Sequence, residues 1–111
     1  MELEGLEGFV RPAAALEQYA TPATVAARLL HEADRRGDIR GLRVLDLGCG
    51  AGILSCGAWL LGAGVVIGVD IDNGALEVAE RNARQIGADI MFMQGDVAEM
   101  AMPPSDTVIM N

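Results

Sequence analysis

The chain has 111 residues, 51% of them hydrophobic and 22% charged, which excludes a disordered polypeptide and leaves room for one hydrophobic core. Sixteen acidic residues against eight basic ones give a net charge of -8, and all eight basic residues are arginine. Such a chain does not hold polyanions by charge alone, although a local arginine patch or a partner could still bring it to a nucleic acid.

The beginning of the chain predicts a surface arm over residues 1–15, followed by one domain over residues 16–111. Thr21 and Pro22 are typical of a helix start, because a hydroxyl caps the first turn and proline fits its first position. The apolar stripe that follows predicts a helix to about Arg36. Residues 1–8 are acidic and do not resemble a secretory leader, so we expect a cytoplasmic protein with reduced cysteines.

Short apolar runs alternate with helical patterns through the rest of the chain. Strands are predicted over residues 43–47, 65–69, 90–94 and 107–110, and helices over residues 53–61 and 73–86. This alternation predicts an α/β protein, a Rossmann-like doubly wound parallel sheet with strand order 3-2-1-4. A ligand is expected at the carboxyl ends of the strands, where the order reverses between strands 1 and 4.

Residues 47–69 carry no charge over 23 residues, which is long enough to cross a bilayer. Seven glycines interrupt this run and divide it into a loop, a short helix, a turn and a strand. The sequence therefore favours a buried strand-helix-strand unit, and no membrane span is predicted.

A glycine loop follows the first predicted strand, with the sequence Gly48-Cys-Gly-Ala-Gly52. Glycines allow a tight turn and close approach to a ligand, and amides at the next helix start can donate to an anionic group. A dinucleotide fingerprint would need a third glycine at position 53, which is Ile53. Asp46 precedes the loop, where its charge would repel a pyrophosphate and attract a sulfonium or an ammonium. Its alternative role is to organise the loop by accepting backbone amides.

Two further carboxylates follow predicted strands on the same rim of the sheet. Asp70 lies 22 residues after Gly48, at a position where a carboxylate can accept hydrogen bonds from both ribose hydroxyls of a nucleoside cofactor. The alternative for Asp70 is to cap the next helix, for which Asp72 is better placed. Asp96 follows the third strand, and we expect it either to contact the ligand or to serve as a simple turn residue.

The remaining reactive side chains indicate neither a nucleophile nor a metal site. Cys49 is predicted to pack as a small residue beside the loop, since no histidine follows it nearby. His31 is predicted on the exposed side of its helix. Two cysteines and one histidine show no metal-ligand spacing, so no metal site is predicted.

Asp46-Leu-Gly-Cys-Gly-Ala-Gly52, together with Val69-Asp70-Ile-Asp72, resembles class I S-adenosylmethionine-dependent methyltransferases. Leu16-Glu-Gln-Tyr-Ala-Thr-Pro22 resembles the upstream cofactor segment of their N6-adenine branch, and above all of the archaeal and eukaryotic enzymes that methylate an adenine of small-subunit ribosomal RNA. The fourth strand of that branch ends in Asn-Pro-Pro-Phe or Asn-Pro-Pro-Tyr, of which Asn111 alone is present. We therefore expect a chain cut within the motif and inactive by itself.

The resemblance implies S-adenosylmethionine as cofactor, an RNA substrate and, as in eukaryotic relatives, a small zinc-binding activator subunit. It implies that Asn111 accepts a hydrogen bond from the target N6 amino group, while Asp70 holds the ribose. The implied cofactor contacts are Gln18, Thr21, Pro22, Asp46, Gly48, Cys49, Gly50, Asp70, Ile71, Asp96 and Val97. Two alternatives remain: a non-catalytic nucleoside-binding module, and an NAD-dependent oxidoreductase, which Ile53 disfavours.

Overall fold

The computed structural model describes residues 23–110, which form three helices and four strands. Every element predicted in this part of the chain is present, with boundaries that differ by at most one residue. The arm and the helix start at Thr21 and Pro22 lie outside the described residues. In chain order the elements are α1 (Ala23–Arg35), β1 (Arg43–Leu47), α2 (Ile53–Leu60), β2 (Val65–Asp70), α3 (Asn73–Gln85), β3 (Met91–Gln94) and β4 (Thr107–Met110).

The four strands form one parallel sheet in the order β3-β2-β1-β4, as the sequence predicts. Leu45 at the centre of β1 is aligned with Ile67 of β2 on one side and with Val108 of β4 on the other. The three central residues of β1 are buried. Because parallel strands are covered by their connecting segments, the residues of β1 after Arg43 are apolar with the exception of Asp46.

The uncharged run of residues 47–69 forms the interior of the molecule. Six consecutive residues of α2, Ile53 to Ala58, are buried, which shows that this helix packs against neighbours on all sides. A helix in such surroundings has no polar face, and this accounts for its largely apolar sequence. Its eight residues are far fewer than a bilayer requires. No helix within residues 23–110 is long and apolar enough to cross a membrane.

Helix α3 packs directly against the glycine loop, and this contact requires a glycine at position 52. The backbone of Gly52 has φ +79°, a left-handed conformation that side chains disfavour. A Cβ atom there would lie 2.9 Å from Cβ of Ala79 and 3.3 Å from the ring of Phe92. Gly52 therefore meets both a conformational and a packing requirement.

Comparison of Gly52→Ala with Gly87→Ala should separate these two requirements. Gly87 has a similar φ of +70°, but no atom lies within 4 Å of the position of its missing Cβ. We expect Gly87→Ala to lower the free energy of unfolding by about 1 kcal/mol through backbone strain. Gly52→Ala should cost about 1–3 kcal/mol more, because it also overpacks the interface with α3. Equal losses in urea denaturation would show that this contact relaxes at no cost.

Candidate functional site

A cavity of about 370 Å³ lies at the carboxyl ends of the strands, where the sequence predicts a ligand. This volume falls within the usual range of small-molecule sites. Its walls come from the ends of β1, β2 and β4 and from the turn after β3. The lining residues are Leu47, Gly48, Asp70, Ile71, Gly95, Asp96, Val97 and Met110.

The glycine loop is held in shape by its own backbone amides. The amides of Gly48 and Cys49 donate to the carbonyl oxygen of Val69 at 2.8 and 2.9 Å, and that of Gly52 donates to the carbonyl oxygen of Cys49 at 2.8 Å. The amide of Gly50 donates to Oδ2 of Asp70 at 2.8 Å. These four donors are therefore engaged within the protein.

Gly48 presents bare backbone to the cavity. Its φ is +68°, and no atom lies within 4 Å of the position that a Cβ would take. A side chain there would extend into open space beside the cavity, so glycine allows a ligand to approach the backbone closely. With its amide engaged, Gly48 retains its carbonyl oxygen as an acceptor suited to an ammonium or a hydroxyl group.

Asp70 lies at the cavity and organises the chain around it. Its Oδ2 accepts the amide of Gly50 at 2.8 Å, and its Oδ1 accepts the amide of Asp72 at 2.9 Å. Asp72 caps α3 through bonds from the amides of Gly74 and Ala75, which leaves Asp70 free of the capping role. Each oxygen of a carboxylate can accept more than one hydrogen bond, so Asp70 retains capacity for ribose hydroxyls. Its ribose contact stays a prediction.

Asp96 is a turn residue that also lies in the cavity wall, and its ligand contact stays a prediction. Its Oδ1 accepts the amide of Ala98 at 2.9 Å, which is the hydrogen bond of a turn residue, and it also lines the cavity. Ile71 and Val97 lie beside it with 65% and 46% of their surface exposed. These two apolar side chains in the cavity wall offer a surface on which a flat ring could pack.

Asp46 is fully buried and lies beneath the cavity, not in its wall. Its Oδ2 accepts a hydrogen bond of 2.6 Å from the hydroxyl of Ser55, the third residue of α2, whereas its Oδ1 is buried without a hydrogen-bond partner. Burial raises the pKa of Asp46 to about 6; the Ser55 hydrogen bonds partly oppose this effect, and the charge of Asp70 adds to it. The sequence did not indicate this role of Ser55.

The raised pKa of Asp46 predicts a distinct pH dependence of stability for Asp46→Asn. Between the ordinary pKa of 3.8 and about 6, the folded protein keeps a proton that the unfolded chain loses, so wild-type stability falls as the pH rises through this window. The amide introduced by the substitution cannot titrate. The free energy of unfolding of the variant, relative to wild type, should therefore rise by up to about 3 kcal/mol between pH 4 and pH 7.

Asp106→Asn is the matched control for this measurement. Hydrogen bonds from the backbone and side chain of Arg43 lower the pKa of Asp106, so its contribution to stability is present at neutral pH and lost on acidification. The stability of Asp106→Asn relative to wild type should therefore change with pH in the opposite direction. Denaturant unfolding across the pH range measures both, and a pH-independent difference for Asp46→Asn would contradict the raised pKa.

The cysteines are buried and unreactive at neutral pH. Burial raises the pKa of Cys49 to about 12 and that of Cys56 to about 11, and the nearby charge of Asp46 adds to both shifts. Cys49 thus packs beside the loop as predicted. His31 is exposed, also as predicted. Within residues 23–110, no cluster of three histidine, cysteine or acidic side chains could hold a metal ion.

The structure brings five of the predicted cofactor residues to the cavity wall: Gly48, Asp70, Ile71, Asp96 and Val97. Asp46, Cys49 and Gly50 support this wall from behind or from within the loop. Gln18, Thr21, Pro22 and Asn111 lie outside the described residues. Three further lining residues were not predicted, although each directly adjoins a predicted site residue or strand end: Leu47, Gly95 and Met110.

A family profile described as ribosomal protein L11 methyltransferase (PrmA) matches residues 21–111. The chain belongs to this methyltransferase family. Among curated relatives, the rRNA N(6)-adenosine-methyltransferase Mettl5 of Drosophila melanogaster is 36% identical over 118 residues, covering 98% of this chain and 54% of the relative. The ribosomal protein L11 methyltransferase of Thermotoga maritima is 42% identical over 71 residues, covering 64% of this chain and 27% of the relative.

Solved structures of methyltransferases share this fold. A Pyrococcus horikoshii protein described as a candidate RNA methyltransferase is 45% identical, with a TM-score of 0.84 over 98% of this chain and 55% of its own. Magnesium protoporphyrin IX methyltransferase of Synechocystis, solved with S-adenosylmethionine bound, is 31% identical, with a TM-score of 0.71 over 78% of this chain and 42% of its own. The chain thus spans about half the length of the relatives that it matches almost throughout.

Proposed function

We propose that the whole protein is an S-adenosylmethionine-dependent methyltransferase that methylates the N6 amino group of an adenine in ribosomal RNA. The described part of the chain supplies the cofactor half of the site. The observation that carries this proposal is the cavity itself, whose wall contains the bare backbone of Gly48, the Asp70 carboxylate and the apolar side chains of Ile71 and Val97. This arrangement fits ribose, amino acid and adenine on one surface.

The charge of the cavity favours a cationic methyl donor over a dinucleotide. Among residues 23–110, its wall contains two carboxylates, Asp70 and Asp96, and no basic side chain. The Asp46 carboxylate lies beneath the cavity and accepts a hydrogen bond from Ser55 in the first turn of α2. In a dinucleotide-binding protein, this end of the helix would face the pyrophosphate. A pyrophosphate would meet negative charge there, whereas the sulfonium and ammonium groups of S-adenosylmethionine would be attracted.

The residues of this chain bind and orient the reactants in this proposal. S-adenosylmethionine, when bound, supplies an electrophilic methyl group on sulfur. Asp70 holds its ribose, while Gln18, Thr21 and Pro22 contact its methionine end, as the family resemblance implies. Asn111 accepts a hydrogen bond from the target amine, which draws the nitrogen lone pair out of conjugation with the ring and aims it at the methyl group.

The pattern of coverage supports adenine in ribosomal RNA over a ribosomal protein as substrate. Of the relatives named rRNA N(6)-adenosine-methyltransferase, one matches 94% of this chain and two match 98%, which includes most of the upstream segment of residues 16–22. Those named ribosomal protein L11 methyltransferase match about two thirds of it. An acidic chain that acts on RNA also needs a positive surface, so we propose a cytoplasmic enzyme assisted by a basic region or by a small zinc-binding activator subunit.

Calorimetry with S-adenosylmethionine, S-adenosylhomocysteine and NAD tests the cofactor assignment. We expect saturable binding of the first two and none of NAD. Asp70→Ala should weaken the binding of S-adenosylmethionine and S-adenosylhomocysteine by at least about 10-fold. The substitution removes charge-assisted hydrogen bonds to the ribose and the hydrogen bond that supports the loop. Asp72→Ala, which loses only the cap of α3, is the control: stability falls by about 1 kcal/mol while affinity is kept. Binding of NAD alone would contradict the proposal.

Methyl transfer by the full-length protein tests the substrate. With ribosomal RNA and S-adenosylmethionine, mass spectrometry of the digested RNA should detect N6-methyladenosine. Asn111→Ala should lower kcat by about 100-fold or more while the affinity for S-adenosylmethionine is unchanged, because this side chain acts on the target amine alone. Transfer to a ribosomal protein and not to RNA would contradict the adenine assignment. Activity that appears only with a co-purified subunit would support the activator.

A further inference from the structure

Helix α3 carries a single polar side chain on its buried face. The buried residues of this helix are Leu76, Ala79, Asn82 and Ala83, and Asn82 is fully buried. Its Nδ2 donates a hydrogen bond of 2.9 Å to the carbonyl oxygen of Ala51. An amide is costly to bury and needs hydrogen-bond partners when it is buried, so this position would be filled more simply by an apolar residue. The contact with Ala51 gives a reason for the amide.

Ala51 lies in the glycine loop, and the residues on either side of it, Gly50 and Gly52, also contact elements outside the loop. Gly50 is bonded through its amide to Asp70 at the end of β2. Gly52 is in close contact with Ala79, which precedes Asn82 by one turn of α3. The three consecutive residues are therefore fixed by β2 on one side and by one turn of α3 on the other. Neither Asn82 nor Ala79 lines the cavity.

We propose that Asn82 is a positioning residue for the cofactor site, which acts through Ala51 to hold the glycine loop against Asp70. With this bond in place, the bare backbone of Gly48 and the Asp70 carboxylate face the same cavity. The identity of the ligand rests on the proposed function, whereas the effect of Asn82 on the loop does not. A shift of about 1 Å in such a loop is enough to weaken a polar site, because its hydrogen bonds depend steeply on distance and angle.

The test compares Asn82→Ala with Ala83→Gly, a change at the next buried position of the same helix that leaves the Ala51 contact intact. Two quantities are measured at a temperature where both variants are folded: affinity for S-adenosylmethionine by calorimetry, and amide hydrogen exchange without ligand. Asn82→Ala should weaken binding about 10-fold, because loss of the Ala51 contact lets the loop leave the conformation that binds the ligand. Exchange of the Gly50 and Gly52 amides should accelerate about 10-fold more than that of the Leu45 amide in β1.

Ala83→Gly should accelerate exchange at all three amides alike and keep the affinity within twofold of wild type. The inference is overturned if Asn82→Ala changes neither affinity nor loop exchange by more than twofold, or if Ala83→Gly reproduces its effects. If Asn82→Ala does not fold, Asn82→Ser replaces it, since a serine hydroxyl on a helix is too short to reach Ala51 and the same loss is expected. Wild-type protein that fails to bind S-adenosylmethionine would overturn the proposed function, while loop exchange would still decide the role of Asn82.

Discussion

The hydrogen bond from the Gly50 amide to the Asp70 carboxylate is the link on which the site depends. It joins the loop after β1 to the end of β2, so that the two strand ends meet as one surface. The amides of Gly48 and Cys49 add two hydrogen bonds to the carbonyl oxygen of Val69, the residue before Asp70 in β2. The parallel register of β1 and β2 brings these groups together, because parallel neighbours end at the same edge of a sheet.

The sheet order and the place of the cavity could be predicted because they follow from local signals. Apolar runs of strand length, glycines after each helix and the Asp72 cap mark the elements, and the handedness of crossovers then leaves one order for the strands. Three site residues come at the ends of strands in the sequence: Gly48, Asp70 and Asp96. Their meeting at one rim of the sheet could therefore be predicted as well. The methyltransferase family was recognised from the same residues.

The supporting bonds could not be predicted, because each depends on the rotation of a helix relative to the loop. Ser55 and Asn82 are separated in sequence from Asp46 and Ala51, and no periodicity shows that their polar atoms point inward. The engagement of the loop amides was missed for a related reason: their acceptors are on β2 or within the loop itself. Amphipathic patterns identify the buried face of an element, but not the atom that a buried polar group will contact.

The internal hydrogen bonds of the loop also bear on the thermodynamics of recognition. A loop whose amides already have partners has little freedom left to lose, so a ligand that enters the cavity meets a surface already in its final shape. The entropy of ordering this segment is lost once, when the chain folds, and not at each binding event. A site of this kind can release its product and take up a fresh ligand without rebuilding itself, as the proposed methyltransferase would require in every cycle.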